Sequence, residues 1–144
     1  MAWLLDTNVI AELASDRPSA AVVAWADGQD ERAMFLSVLT LAEFDKGIAN
    51  LAPDHPARAR IEAEVRALEL RFGQRVLPVS AAVVRRWGRM AGEVKRVQGR
   101  ALPVIDGLLA ATAVEHDLTL VTRNVRDVLG TGAMIRNPWV VAPG

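Results

Sequence analysis

The sequence predicts an α/β fold, a parallel β-sheet of about four to five short strands flanked by helices. Two observations predict it. Short apolar, β-prone runs recur at AWLL, Ala33 to Leu36, Arg75 to Pro78, Leu118 to Val121 and, more weakly, Ala133 to Ile135. Helical spacing fills the gaps, and strands that alternate with helices pair in parallel with both sheet faces covered. With 144 residues, 51% of them apolar, the chain can bury a core without disulfides or a structural metal. Residues 1–144 read as a single domain, with no internal repeat or linker.

Each element has its own local reason. The first strand-like run ends in Asp6, and Ile10, Leu13 and Ala14 behind it mark one face of a helix. Ser19 to Ala26 reads as a helix after Pro18. Thr40 to Asn50 reads as another, ending before the Pro53 and Pro56 connector. From Arg58 to Phe72, the residues Ile61, Val65, Leu68 and Phe72 form one apolar seam, and Gly73 stops the helix. A further helix runs from near Asp106 to His116.

The segment SAAVVRRWGRMAGEVKRVQGR carries six basic residues against Glu93 alone. At about 100° per residue, Arg85, Arg89, Arg96 and Arg100 fall within roughly 60° of one another. Val83, Trp87, Met90, Val94 and Val97 lie opposite. Such a ridge suits a solvated face, and it also suits contact with successive phosphates.

Composition excludes several classes. Cysteine is absent, which removes disulfide and thiolate chemistry and fits a reducing cytoplasm. His55 and His116 are far apart with no ligand-spaced partner, so a zinc site is not expected. Lys plus Arg and Asp plus Glu are both 17, so whole-molecule charge makes no case for nucleic acid. The apolar opening is broken by Asp6 and lacks a basic flank. No later window reaches the length of a membrane span, so no membrane partner is expected and the location expected is cytoplasmic.

Three acids occupy comparable places. Asp6 follows the first strand, Glu43 lies early in the helix after the second, and Asp106 lies early in the helix ending near His116. Each has an ordinary structural explanation: Asp6 as a helix cap, Thr40 and Glu43 as a capping box, Asp106 as a favourable charge at a helix start. Together they can converge on one edge of a parallel sheet, where ligands bind in such folds. Clustered carboxylates repel and raise one another's pKa unless a positive charge sits among them, and a hard divalent cation such as Mg²⁺ or Mn²⁺ fits. No glycine-rich phosphate loop and no Ser-His-Asp arrangement is present. Metal-assisted phosphodiester hydrolysis is the chemistry such acids support.

In order and spacing, LLDTNVIAEL, LTLAEFDKG and PVIDGLLAATAVEHDLTLVTRN resemble the PIN-domain ribonucleases, in particular the VapC and FitB type of bacterial toxin. The ending IRNPW strengthens the FitB side. The resemblance implies a PIN-like, Rossmann-like parallel sheet and Mg²⁺ or Mn²⁺ in an acidic pocket. It also implies an RNA substrate, a cognate small antitoxin and a homodimer. Asp6, Glu43 and Asp106 match the family's three principal acids. Thr7, Asn8 and Thr122 would hold those acids by hydrogen bonds. A fourth acid is often found after the fourth strand. Here VTRNVRDV offers Asn124 and, three residues on, Asp127, with Asp127 expected to reach the metal and Asn124 to assist. Arg123, with Arg85, Arg89 and Arg96, is expected to meet RNA phosphate. The Asn124 departure keeps a second reading open, a catalytically weakened PIN-fold module that binds nucleic acid or dimerises. An aspartyl-phosphate phosphatase would need a second Asp where Asn8 stands. With no Tyr and four Trp mostly at apolar positions, no aromatic platform for unstacked bases is expected.

Overall fold

The computed structural model describes residues 1–141. Five strands, β1 (Trp3–Leu5), β2 (Met34–Ser37), β3 (Val76–Leu77), β4 (Thr119–Val121) and β5 (Ile135–Arg136), lie parallel in the order β3-β2-β1-β4-β5. Around them are α1 (Thr7–Leu13), α2 (Ala20–Asp27), α3 (Val38–Ala49), α4 (Arg58–Phe72), α5 (Ala81–Gln98) and α6 (Val104–Glu115). The expected α/β class is thus the observed one, including the weak fifth strand, which falls at 135–136. No helix among the described residues is long and apolar enough to cross a membrane.

Side chains alternate across a strand, so each central strand feeds both faces of the sheet. Leu4 and Leu120 join a core with Val83, Met90 and Val94 of α5 and Leu109 of α6. Trp3, Leu5 and Val121 point the other way, into a core with Val9, Val22, Trp25 and Phe72. There Trp3 and Trp25 meet edge to face at 5.1 Å and 82°. Each fully buried Leu contributes about 1.5–3 kcal/mol, and both cores are anchored on β1 and β4. These two strands pair from Trp3 with Thr119 to Leu5 with Val121.

That pairing also fixes where a ligand goes. From β1 the chain moves outward to β2 and β3, then crosses back to place β4 on the other side of β1. The carboxyl ends of β1 and β4 therefore flank the point where strand order reverses, the usual crevice of open α/β sheets.

Candidate metal centre

Asp6 is the first residue after β1 and Thr122 the first after β4. Asp6 is only 5% exposed, a position in which an ionised carboxylate needs hydrogen bonds to its oxygens. Three donors supply them. The Thr7 backbone N–H donates to Oδ1 at 2.7 Å, the Thr122 hydroxyl to Oδ2 at 2.7 Å, and Asn8 Nδ2 to Oδ2 at 3.3 Å. The Thr7 bond also caps α1, so Asp6 is both the helix cap and an acid at the crevice. Asn8 in turn accepts the Arg123 backbone N–H at 3.4 Å, and Thr122 accepts that of Asn124 at 3.0 Å.

Glu43 arrives differently from the expected capping box. Ser37, still in extended backbone at the end of β2, caps α3 by accepting the Leu39 N–H at 3.0 Å. The helix therefore starts two residues before Thr40. Thr40 is wholly buried, one turn before Glu43 on the same helix face. Thr7 Oγ1 donates to Glu43 Oε1 at 2.8 Å and lies 3.1 Å from Thr40 Oγ1. A hydroxyl has one proton to give. With that of Thr7 on the carboxylate, Thr40 serves as its donor, and a chain of hydroxyls holds Glu43 beside Asp6. Thr40 belongs to the site's support; its i, i+3 spacing from Glu43 is the signal that could have shown it.

Asp106 sits in the first turn of α6. Its neighbour Gly107 is buried where a Cβ would lie 2.7 Å from Leu102 Cδ2 and 2.9 Å from Trp87 Cδ1. The glycine lets α5 and α6 approach closely enough to set Asp106 at the edge. Burial, then the negative charges of Asp6 and Asp127, push the Asp106 carboxyl up to about 6; the facing Asn124 amide opposes this and Glu43 adds slightly to it. Asp6 is also raised, chiefly by burial, against the lowering effect of its Thr122 and Thr7 hydrogen bonds. Asp106 thus lies within the field of Asp6, Asp127 and Glu43, and Asp6 within that of Glu43.

Asn124 precedes a 3₁₀ turn, Val125–Val128, that carries Asp127. A network beyond the end of α5 holds this turn. Arg100 donates from Nη1 to the Asp127 carbonyl at 3.3 Å and from Nη2 to the Leu129 carbonyl at 2.8 Å. Gln98 donates to the same Leu129 oxygen at 3.1 Å and accepts from Arg100 Nε at 2.7 Å. Arg100 therefore does not belong to the basic ridge. Gly99 ends α5 at φ +70, so helical spacing no longer applies beyond it. Arg85, Arg89 and Arg96 are exposed on α5, as expected, but Val97 on the supposed apolar side is 66% exposed. Nothing in the sequence pattern marks Gln98 and Arg100 as supports of the site.

Among the described residues, no three carboxylates converge closely enough to hold an ion as they stand, in keeping with mutual repulsion. The donor set still fits a hard divalent cation. It is all oxygen, with four acids around one crevice and hydroxyls orienting two of them.

The chain matches the family model of the PIN domain over residues 3–126. It belongs to the PIN-domain family. This PIN domain is 33% identical over 139 residues to Toxin FitB of Neisseria gonorrhoeae, covering 94% of the chain and 97% of that protein. To VapC ribonuclease Y4jK of Sinorhizobium fredii it is 36% identical over 140 residues, covering 94% and 96%. It superimposes on the crystal structure of FitAcB from Neisseria gonorrhoeae with a TM-score of 0.86 at 31% identity, over 96% of this chain and 99% of that one. An apolar hollow of about 520 Å³, lined in part by Leu5, Ile10, Leu13, Met34, Leu68 and Phe72, opens on the flank of this PIN domain and contains none of the four acids.

Proposed function

We propose that this PIN domain is a metal-dependent endoribonuclease acting as the toxin of a toxin-antitoxin pair in the cytoplasm. Asp6, Glu43, Asp106 and Asp127 would hold Mg²⁺ or Mn²⁺. The observation that carries this is the placement of four acids at the switch point, with Asp106 raised to about 6 by burial and by its neighbours. Repulsion of this kind destabilises a metal-free fold and is relieved by a cation. The likeness to a protein named a toxin and to one named a ribonuclease supports the biological setting and the RNA substrate. A small antitoxin is the partner that setting implies.

A bound cation supplies Lewis acidity toward phosphate and water. The chain's own residues do the rest. Thr122, Asn8 and Thr7 fix the Asp6 oxygens, Thr7 and Thr40 fix Glu43, and Asp106, held up to about 6, would be kept fully ionised by a cation beside it. Water attacks phosphorus in line and the bond to the 3′ oxygen breaks, leaving a 5′-phosphate and a 3′-hydroxyl with no covalent enzyme intermediate. Arg85, Arg89 and Arg96 offer a phosphate track along α5. Asp127, whose charge acts on Asp106, would make up for the neutral Asn124, which favours the catalytic reading over a weakened, non-catalytic module.

The test is RNA cleavage by purified protein with Mn²⁺, with chelator, and with Asp6→Asn. Activity is expected only in the first, with 5′-phosphate ends. Cyclic phosphate ends, or cleavage that survives chelation and Asp6→Asn alike, would refute the reading.

A further inference from the structure

The segment Ile135 to Trp139 carries no acid, yet it is built onto the same edge. The Thr122 N–H donates to the Arg136 carbonyl at 3.0 Å, which ties the segment to the residue that holds Asp6. Arg136 Nη1 then donates to the carbonyls of Asn137 at 2.7 Å and Val140 at 3.0 Å. Asn137 Oδ1 accepts the Trp139 N–H at 3.0 Å. This fixed turn presents Trp139, half-buried and packed against the core that holds Trp3, Leu5 and Val9. The Arg123 guanidinium lies over its ring, 5.1 Å from the centroid. Arg123 is exposed, and its own backbone N–H is bonded to Asn8, which is bonded to Asp6. Trp3 and Trp25 are core residues, whereas Trp139 is only half-buried and is linked to Asp6 through Arg123 and Asn8.

We infer that Arg123, backed by Trp139, is a stacking shelf that receives one unpaired nucleotide of the RNA beside the carboxylates. The inference rests on the ribonuclease reading. An exposed arginine held over an indole keeps its other side open to solvent, and guanidinium planes stack on splayed-out bases as aromatic rings do. Arg is suited to this where Lys is not, because only the guanidinium is planar. A base in a duplex already has stacking neighbours, so the shelf selects single-stranded segments, loops or bulges.

The experiment measures binding of a short single strand carrying 2-aminopurine, and of a duplex of the same sequence, to the Asp6→Asn protein with Mn²⁺ present. Adding Arg123→Ala, Arg123→Lys or Trp139→Ala is expected to weaken single-strand binding roughly tenfold, the size of one stacking interaction, with little change for duplex. Trp139→Phe should restore most of it. Single-strand binding that survives Arg123→Lys would overturn the shelf and leave a simple phosphate contact. Equal losses on strand and duplex would overturn it too. If Trp139→Ala does not fold, the exposed Arg123→Lys decides by itself. Failure of the parent protein to cleave any RNA would instead sink the ribonuclease reading, which separates the two outcomes.

Discussion

Asp6 and Glu43 enter the acidic edge from the β1 and β2 side with hydroxyls and an amide already placed around them, whereas Asp106 and Asp127 enter from the α6 and β4 side with little besides Asn124 between them. On the first side, the donors come from Thr7, Asn8, Thr40 and Thr122, and the last two are fully buried. On the second, repulsion is relieved only in part, and Asp106 rises to about 6. The difference separates two tasks. Under the proposed reading, one half of the site would be oriented before a cation arrives, and the other, where burial and then neighbouring charge raise Asp106, would be the half a cation relieves.

Among changes that leave all four acids in place, breaking the oriented half should have the largest effect. Thr122→Val keeps shape but removes the hydroxyl proton from Asp6 Oδ2. Loss of such a supporting bond costs about 10–100-fold in metal affinity or activity, to be read from Mn²⁺ calorimetry and RNA cleavage. Little change in either would show that Asp6 is oriented by Thr7 and Asn8 alone.

The charged half should respond in the opposite sense. Asp106→Asn is expected to raise the melting temperature of the metal-free protein at pH 7 by a few degrees while removing Mn²⁺ binding. The sign follows from linkage. A carboxyl whose folded pKa is about 6 and whose unfolded pKa is about 3.9 binds more protons when folded between those values. Its contribution to stability grows as pH falls from above 6 toward 4, and is absent in the Asn variant. Melts across that range give the comparison, and a lower melting temperature for Asp106→Asn at pH 7 would contradict it.

A smaller effect should come from the clamp on the second side. Arg100→Ala frees the carbonyls of Asp127 and Leu129 and should lower Mn²⁺ affinity several-fold. In an Asp127→Ala background the same change should add nothing, since effects that share one route are not additive. Additive losses would place Arg100 outside the metal site. The smallest effect per residue belongs to the ridge. Changing Arg85, Arg89 and Arg96 to Glu should lower the salt slope of RNA binding by roughly 0.7 for each phosphate no longer neutralised. An unchanged slope would leave the ridge as a solvated face.

Much of the fold was legible because each strand-like run is short, apolar and followed by a helix signal. The range 58–72 for α4 agrees with the seam from Ile61 to Phe72 and the stop at Gly73. Ends set by tertiary context were less legible. Thr40 looked like a cap because T-x-x-E is a local pattern, but Ser37 precedes it and wins, since the strand ends there. The placement of Asp6, Glu43 and Asp106 at one edge follows from strand order, which local spacing only suggested. Arg100 and Trp139 were illegible for a different reason. Their partners, the carbonyls of Asp127 and Leu129 and the Arg123 guanidinium, become neighbours only through the fold.

The most direct test of a cation site made by shared carboxylate charge is proton release on metal binding. Mn²⁺ is titrated into the parent protein by calorimetry at pH 6, in two buffers of different ionisation enthalpy. Ligand carboxyls must ionise to bind, so Asp106, with its pKa about 6, should release roughly half a proton per site at that pH and almost none at pH 8. Asp106→Asn should show neither the release nor the binding. Tight Mn²⁺ binding with no proton release at pH 6, or binding unaffected by Asp106→Asn, would contradict the site described.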